Sequence, residues 1–190
     1  MGKKILDLWK DPWPLDVAQC PCDVHFSSYL SQNGLKNQTI FHFGTGDHHH
    51  VGLQAPAGGH SVLGVTATQA EYLSYINLVV SNPDLGRHYK VVFSDIYQID
   101  PRLLPDFDIV TLFHLCEFWS ATNAPFAAFD DAGVLEALGA KVKPGGLVGF
   151  YTGSFAYAGA AKLIPAWAKS AGFEEIAPFE TLRFWRKRKA

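Results

Sequence analysis

Short apolar segments rich in β-branched and aromatic residues alternate with helical segments along this chain, and that order narrows the possible folds more than any other feature. The strand-like segments are Thr39–Phe43, 61–65, Tyr89–Phe93, 107–112 and 147–151. Strands that alternate with helices form a parallel sheet, covered on both faces and joined by right-handed crossovers. The pattern therefore predicts an α/β domain built as a three-layer α/β/α sandwich.

The helical segments and the two ends of the chain complete this prediction. Apolar residues recur at a spacing that predicts helices over 26–32, 67–81, 132–142 and 155–171. Near the C-terminus, the segments 174–179 and 181–187 predict an antiparallel hairpin. Residues 1–37 begin rich in Trp, Pro and Asp, and we interpret them as an N-terminal cap over the substrate, with 38–190 as the main domain.

Composition limits the classes of partner. The 190 residues suffice for one domain, and a net charge of −2 does not favour nucleic acid or an acidic membrane. The basic residues 186–189 predict a solvated end. No apolar run approaches the roughly 20 residues that cross a bilayer, and the N-terminus lacks the pattern of a signal peptide. We therefore expect no nucleic acid and no membrane as partner.

The cysteine and aromatic contents add two further expectations. Three cysteines are too few for a disulfide framework, which predicts a reducing, cytoplasmic setting. Aromatic residues make up 14% of the chain, more than a core of this size needs, so some of them could line a pocket or a homodimer interface.

A glycine pair follows the first predicted strand. Gly44 and Gly46 flank Thr45, and Asp47 comes next. In an open parallel sheet, ligands bind beyond the carboxyl ends of the strands, and glycines there let the backbone turn sharply against a ligand. This loop alone is compatible with any nucleotide-binding protein and also with a simple turn.

Four further segments follow the glycine loop in order: Gly64-Val65-Thr66, Phe93-Ser94-Asp95, Phe107-Asp108-Ile109-Val110 and Lys143-Pro144-Gly145-Gly146-Leu147. The series resembles the class I S-adenosylmethionine-dependent methyltransferases, which carry a glycine loop, an acid ending the third strand, a Phe-Asp-x-Val-like fourth strand and a Lys-Pro-Gly-Gly turn. The resemblance covers roughly residues 38–188. It implies a Rossmann-like methyltransferase fold, with a mostly parallel seven-stranded sheet and one antiparallel strand.

The resemblance also implies a binding role for each strand end. The residues that would contact the methionine part, the ribose, the adenine and the transferring methyl group are, in chain order, Phe43, Gly44, Thr45, Gly46, Thr66, Ala67, Asp95, Ile96 and Phe113. The cofactor is then S-adenosylmethionine. His114 and Glu117 follow the fourth strand, where we expect a general base that deprotonates the methyl acceptor.

The sequence departs from this family at positions that contact the cofactor. His42 stands where the family usually has an acid, two residues before the glycine loop, and His48 stands where a third glycine would fall. Thr66 ends the second strand, where an acid normally holds the ribose hydroxyls.

These departures leave two main hypotheses. The first is a small-molecule methyltransferase, and the second is a methyltransferase-like domain without catalysis that serves as a ligand-binding or partner protein. An NAD-dependent oxidoreductase is disfavoured because no acid closes the second strand.

Histidines and cysteines raise the alternative of a metal site. The run His48–His50, with His42 and with His25 or His114 converging, contains potential ligands, yet consecutive residues do not all face one point. Cys20-Pro21-Cys22 with His25 does not have the spacing of a common zinc module. We therefore predict no metal ligands and interpret the histidine run as a polar loop at the mouth of the pocket.

Overall fold

The computed structural model describes residues 11–121 and 123–189. Its centre is a seven-stranded sheet whose strands are β1 (Thr39–Phe43), β2 (Ser61–Thr66), β3 (Tyr89–Phe93), β4 (Phe107–Thr111), β5 (Val142–Tyr151), β6 (Phe173–Glu175) and β7 (Leu182–Lys187). The strands lie in the order β3-β2-β1-β4-β5-β7-β6. Strands β1 to β5 are parallel, and β7 runs antiparallel to β5 and β6. The predicted fold is confirmed.

The helices are α1 (Cys22–Gln32), α2 (His50–Gly58), α3 (Gln69–Ser81), α4 (Leu85–His88), α5 (Asp131–Ala140) and α6 (Tyr157–Ala171). Helix α2 was not predicted, because Gly52, Pro56 and Gly58 made its sequence resemble a loop. Tertiary packing overrides that weak propensity: Gly52 lies so close to the ring of Tyr89 that a Cβ atom there would overlap the ring. The predicted polar loop at His50 is thus the first turn of a helix.

Each layer of helices packs against the sheet through its own hydrophobic core. One core contains residues of α5 and α6, and the other contains residues of α1, α2 and α3. In the second core the Phe26 ring is fully buried, 5.7 Å from the Phe113 ring and 6.5 Å from the Phe184 ring. Helix α1, which belongs to the predicted cap, therefore shares its core with the sheet. The first ten residues of that cap lie outside the described residues.

Two motifs of the sequence meet at the end of the sheet away from the strand carboxyl termini. The Asp108 carboxylate accepts hydrogen bonds from the Thr39 N–H at 2.8 Å and the Thr39 hydroxyl at 2.7 Å. Lys143 Nζ lies 3.0 Å from both Asp108 oxygens. The segment Val142–Tyr151 is one strand whose register with β4 shifts opposite the predicted turn, where Gly145 has a φ of +82°. These motif residues connect β1, β4 and β5 at this end of the sheet, away from the carboxyl ends of the strands, where sheets of this kind bind ligands.

We expect Asp108→Asn to lower the free energy of unfolding by about 2 kcal/mol at pH 7, the scale of charge-assisted hydrogen bonds. Burial opposes ionisation of Asp108, but the bonds from Thr39 and the charge of Lys143 outweigh it and lower the pKa. A carboxyl with a lowered pKa stabilises the fold above its unfolded pKa of about 4 and loses that effect as the pH falls further.

Urea unfolding at pH 7 and at about pH 3 measures this difference between the native protein and the variant. The exposed Asp106→Asn is the matched control and should change little. A loss of equal size at both pH values would contradict the assignment to the ionised carboxylate.

Of the basic residues 186–189, predicted to form a solvated end, Arg186, Arg188 and Lys189 are exposed, whereas Lys187 is partly buried. Arg186 and Lys187 belong to β7, paired with β6. The Lys187 ammonium donates to the carbonyl of Val142 at 2.8 Å and lies 3.3 Å from that of Ala140. Carbonyls at the end of a helix attract a cation, so Lys187 connects the last strand to the C-terminal end of α5.

In the part of the chain that the structure describes, no helix has the length and apolar character needed to span a membrane.

Candidate functional site

A cavity of about 450 Å³ lies at the carboxyl ends of β1, β2, β3 and β4. Residues 11–20, which we call the strap, form one wall of it through Trp13, Gln19 and Cys20, among others. The Trp13 N–H donates to the Glu71 carboxylate at 3.1 Å, and the Trp13 carbonyl accepts from the Asp47 N–H at 2.8 Å. The cavity therefore lies between the sheet and an N-terminal segment, at the place where sheets of this kind bind ligands.

The glycine loop forms the floor of the cavity. Gly44 and Gly46 have φ values of +84° and +56°, a region that disfavours other residues. A Cβ atom on Gly46 would lie 2.5 Å from His48 Nε2 and 2.9 Å from the Trp13 carbonyl oxygen. A Cβ atom on Gly44 would have one neighbour within 4 Å, the His114 ring at 3.4 Å, so the Gly44 backbone faces open space.

Most of the predicted site residues line this cavity, and two do not. Phe43, Thr66, Ala67, Asp95, Ile96, His114 and Glu117 are on its wall with both glycines. The side chains of Thr45 and Phe113 are buried elsewhere; Phe113 packs against Phe26 in the core. Because the Thr45 side chain is buried away from the cavity, Thr45 can contact a ligand there only through its backbone.

A buried carboxylate lies where β2 ends. The Thr66 hydroxyl donates to Glu71 Oε2 at 2.6 Å, and Glu71 lies in the first turn of α3. Glu71 is 5% exposed, and burial raises its pKa, against the bonds from Thr66 and the Trp13 N–H. The acid that the sequence lacks at position 66 is thus supplied from a helix five residues later.

A second buried carboxylate lies beside His42. Asp23, in the first turn of α1, has its Oδ2 atom 3.5 Å from His42 Nε2 and 3.9 Å from His48 Nδ1. Burial disfavours the Asp23 carboxylate, but attraction to His42, His48 and His114 outweighs burial and lowers its pKa. Asp23 also lines the cavity. The second acid missing from its expected position is therefore supplied by α1.

A third carboxylate, Asp95, follows β3 as predicted. Its Oδ1 atom accepts from the Tyr97 N–H at 2.9 Å. Its Oδ2 atom is buried, and no hydrogen bond of ordinary distance and angle reaches it from residues 11–121 and 123–189. Burial raises the pKa of this carboxyl, against the bond from the Tyr97 N–H and the influence of the Asn123 side chain. A buried carboxylate oxygen with incomplete donation is costly, which marks Asp95 as a group that a ligand could satisfy.

The two predicted catalytic residues contact each other. His114 Nδ1 lies 3.1 Å from Glu117 Oε1, and the Ser154 hydroxyl donates to the same Glu117 oxygen at 2.5 Å. Burial lowers the pKa of His114, but hydrogen bonds with Cys20 and Glu117 outweigh it and raise the value to about 10. An imidazole in that state holds its proton at neutral pH. The role of general base stays a prediction for this pair.

Two cysteines converge on the other nitrogen of His114. Cys20 Sγ lies 3.4 Å from Cys22 Sγ, which lies 3.9 Å from His114 Nε2. The hydrogen bond with Cys22, with help from His114, lowers the pKa of Cys20 to about 5 against the effect of burial. The same bond raises the pKa of Cys22. His25, the partner that the sequence suggested, instead contacts the Thr181 hydroxyl at 2.8 Å.

The histidine run does not gather around one point. His49 is buried, with contacts of 2.9 Å to the Tyr89 hydroxyl and 3.0 Å to the Glu71 carbonyl, and burial lowers its pKa to about 4. His48 Nδ1 accepts from the His50 N–H at 3.1 Å. Among the described residues, the metal-compatible group of three is Cys20, Cys22 and His114. Sequence reasoning missed it because residues 20 and 114 are far apart in the chain.

Comparison with known proteins identifies the fold. No family model matches the chain, and no curated protein matches its sequence. The solved structure of the cyclase SpnF superposes with a TM-score of 0.64 at 12% identity, over 96% of this chain and 88% of that one. The N-methyltransferase NodS from Bradyrhizobium japonicum WM9, bound to S-adenosylhomocysteine, gives 0.60 at 12%, over 87% and 86%.

A third structure has the same architecture. Magnesium protoporphyrin IX methyltransferase ChlM from Synechocystis PCC 6803, with bound S-adenosylmethionine, gives a TM-score of 0.62 at 12% identity, over 88% of this chain and 78% of that one. The chain therefore has the Rossmann-like fold of the class I methyltransferases, as the sequence motifs indicated.

Proposed function

We propose that this protein is an S-adenosylmethionine-dependent methyltransferase that acts on a small molecule. The observation that carries the proposal is the set of three buried carboxylates, Asp23, Glu71 and Asp95, around one cavity at the strand ends. The sequence lacks acids at two of the family's usual positions, yet the pocket contains them. Two structural neighbours, NodS and ChlM, were solved with this cofactor or its demethylated product, which supports the same ligand here.

The three carboxylates fit the polar groups of the cofactor. S-adenosylmethionine carries an ammonium group, two ribose hydroxyls and an adenine amino group, all of which donate to a carboxylate. Asp23, beside the glycine loop, would hold the ammonium group, and Glu71 would accept from the ribose. Asp95 Oδ2, which receives no hydrogen bond of ordinary distance and angle from the described residues, would accept from the adenine. The bound cofactor supplies an electrophilic methyl group on its sulfonium.

The residues after β4 would position the methyl acceptor. His114 and Glu117 share a hydrogen bond and face the cavity, so they can orient an acceptor, and the Glu117 carboxylate could accept its proton. The strap covers one side of the cavity, and exclusion of water with alignment of the nucleophile is most of what methyl transfer requires. A concave site of about 450 Å³ favours a small acceptor over a macromolecule.

Binding without methyl transfer is the second candidate function. It is favoured by the raised pKa of His114, near 10, which keeps this imidazole protonated at neutral pH and unable to act as the general base. The cyclase SpnF shares the fold, so the fold alone does not specify methylation. The two candidates differ in turnover and agree on the cofactor.

Calorimetric titration with S-adenosylmethionine and with S-adenosylhomocysteine tests the proposal. We expect both to bind the native protein, and we expect Gly44→Val to abolish binding because its side chain would project into the cavity from a backbone with positive φ. Gly34→Val is the matched control: Gly34 has a φ of +62°, no atom lies within 4 Å of where its Cβ would be, and it takes no part in the cavity. No binding to the native protein at millimolar ligand would refute the proposal.

A further inference from the structure

We propose that Cys20, Cys22 and His114 bind a thiophilic divalent cation, Zn²⁺ by the chemistry of the donors. The site shares His114 and the cavity with the proposed function, but metal binding needs no S-adenosylmethionine and is tested independently of it. Two sulfur atoms and one imidazole nitrogen are the donors that zinc selects in proteins. All three donor atoms lie within 4.8 Å of one another.

The spacing of the donors matches a tetrahedral ion. With Zn–S near 2.3 Å and Zn–N near 2.0–2.1 Å, tetrahedral angles place two sulfurs about 3.8 Å apart and a sulfur and a nitrogen about 3.6 Å apart. The observed distances are 3.4 Å between Cys20 Sγ and Cys22 Sγ, and 3.9 Å between Cys22 Sγ and His114 Nε2. Small side-chain movements would therefore complete the coordination.

The backbone around the cysteines is held before any ligand binds. The Asp16 carboxylate accepts from the N–H groups of Ala18 and Gln19, each at 3.0 Å, and the Asp16 carbonyl accepts from the Cys20 N–H at 2.7 Å. Cys22 begins α1, and its side chain is buried. Cys20 and Cys22 are thus fixed by a turn on one side and a helix on the other.

His114 has the support that a metal ligand requires. Its Nδ1 atom lies 3.1 Å from Glu117 Oε1, and Glu117 is held in turn by the Ser154 hydroxyl. A carboxylate on the far nitrogen fixes the ring orientation and directs Nε2 toward the metal. Nε2 is the atom that faces Cys22.

The fourth coordination position would open into the cavity. Cys20, Cys22 and His114 all line it, and Asp23, the neighbouring carboxylate, lies with its Oδ1 atom 3.5 Å from Cys22 Sγ. Three protein ligands with one open position characterise zinc sites that bind water or a substrate, whereas structural sites have four protein ligands. The ligand at the open position would be water or an anionic sulfur or oxygen of a substrate.

Metal analysis of the full chain tests the site. The protein is stripped with a chelator, kept in a non-thiol reductant, given Zn²⁺ and desalted, and we expect one Zn²⁺ per chain. Cys20→Ser and Cys22→Ser should reduce the metal content to background, and Glu117→Gln should weaken affinity by about 10–100-fold. Cys116→Ser is the matched control, because Cys116 lines the same cavity without belonging to the group of three, and should retain one Zn²⁺.

Alkylation of the native protein gives a second readout that does not depend on variants. We expect Zn²⁺ to protect Cys20, the more accessible thiol of the pair, from iodoacetamide, as measured by mass spectrometry of peptides, and to leave the labelling of Cys116 unchanged. Background metal content in the reduced native protein would overturn the proposal. It would also be overturned by unchanged metal content in both cysteine variants, which would place the metal elsewhere, or by equal alkylation with and without Zn²⁺.

Discussion

Replacing Glu71 with Gln is expected to weaken S-adenosylmethionine binding about 100-fold. Glu71 is buried at the end of β2, where its carboxylate accepts from Thr66 and from the Trp13 N–H. A carboxylate has about four lone-pair positions, so two remain for the ribose hydroxyls. Loss of two charge-assisted hydrogen bonds costs about 3 kcal/mol, which corresponds to roughly a hundredfold in affinity.

Glutamine keeps the shape of the side chain and an oxygen that accepts from the Trp13 N–H, so the strap should stay in place. Burial raises the pKa of Glu71, which means that its ionised form opposes folding as the pH rises through that value. Glu71→Gln should therefore melt no lower than the native protein at pH 8, while its affinity falls. Calorimetry and thermal melting measure the two effects separately.

Two further variants show whether the effect belongs to this carboxylate. Glu136→Gln, on the exposed surface of α5, should leave binding unchanged. Thr66→Asp places the acid where the family usually has it, but against Glu71, whose oxygen lies 2.6 Å from the Thr66 hydroxyl. We expect repulsion between two carboxylates and weaker binding. Tighter binding by Thr66→Asp, or native affinity in Glu71→Gln, would show that Glu71 does not hold the ribose.

Replacing Phe26 with Ala is expected to lower the free energy of unfolding by about 3–5 kcal/mol, the range for large-to-small changes of a buried aromatic ring. Phe26 is fully buried and packs against Phe113 on one side and Phe184 on the other. The remaining cavity would sit between α1 and the sheet, and neither side can close it without moving a strand.

Urea unfolding monitored by circular dichroism measures this loss. Phe126→Ala is the control, because the Phe126 side chain is 59% exposed and should contribute within about 0.5 kcal/mol. If Phe26→Ala unfolds like the control, α1 is a detachable cap, and the boundary predicted at residue 37 would be a true domain boundary. A large loss would make α1 part of the domain.

The sequence predicted the sheet well because its signals are local. Thr39–Phe43 and Tyr89–Phe93 begin and end at the predicted residues, since each is an apolar run bounded by polar or glycine residues. Helix α2 could not be predicted in this way, because its stability comes from packing Val51 and Ala55 into the core. Its glycines and proline argue against a helix on local grounds.

The site was predicted from strand ends, and the residues that were missed come from helices. Asp23 and Glu71 each lie in the first turn of a helix and reach positions where the strands themselves carry His42 and Thr66. Only the packing of α1 against the sheet brings Asp23 to His42. One signal was available for Glu71, an acid five residues after the second strand, and none was available for the approach of Cys20 to His114.

The strap would affect how quickly a ligand enters and leaves the cavity more than how tightly the ligand binds. Its Trp13 backbone is bonded to both Asp47 and Glu71, and its Gln19 carbonyl accepts from the Tyr151 hydroxyl at 3.3 Å. If the cavity binds the proposed cofactor, breaking these bonds to the wall would widen its path of entry and exit. Residence time would then depend on the N-terminal segment as well as on the groups inside the cavity.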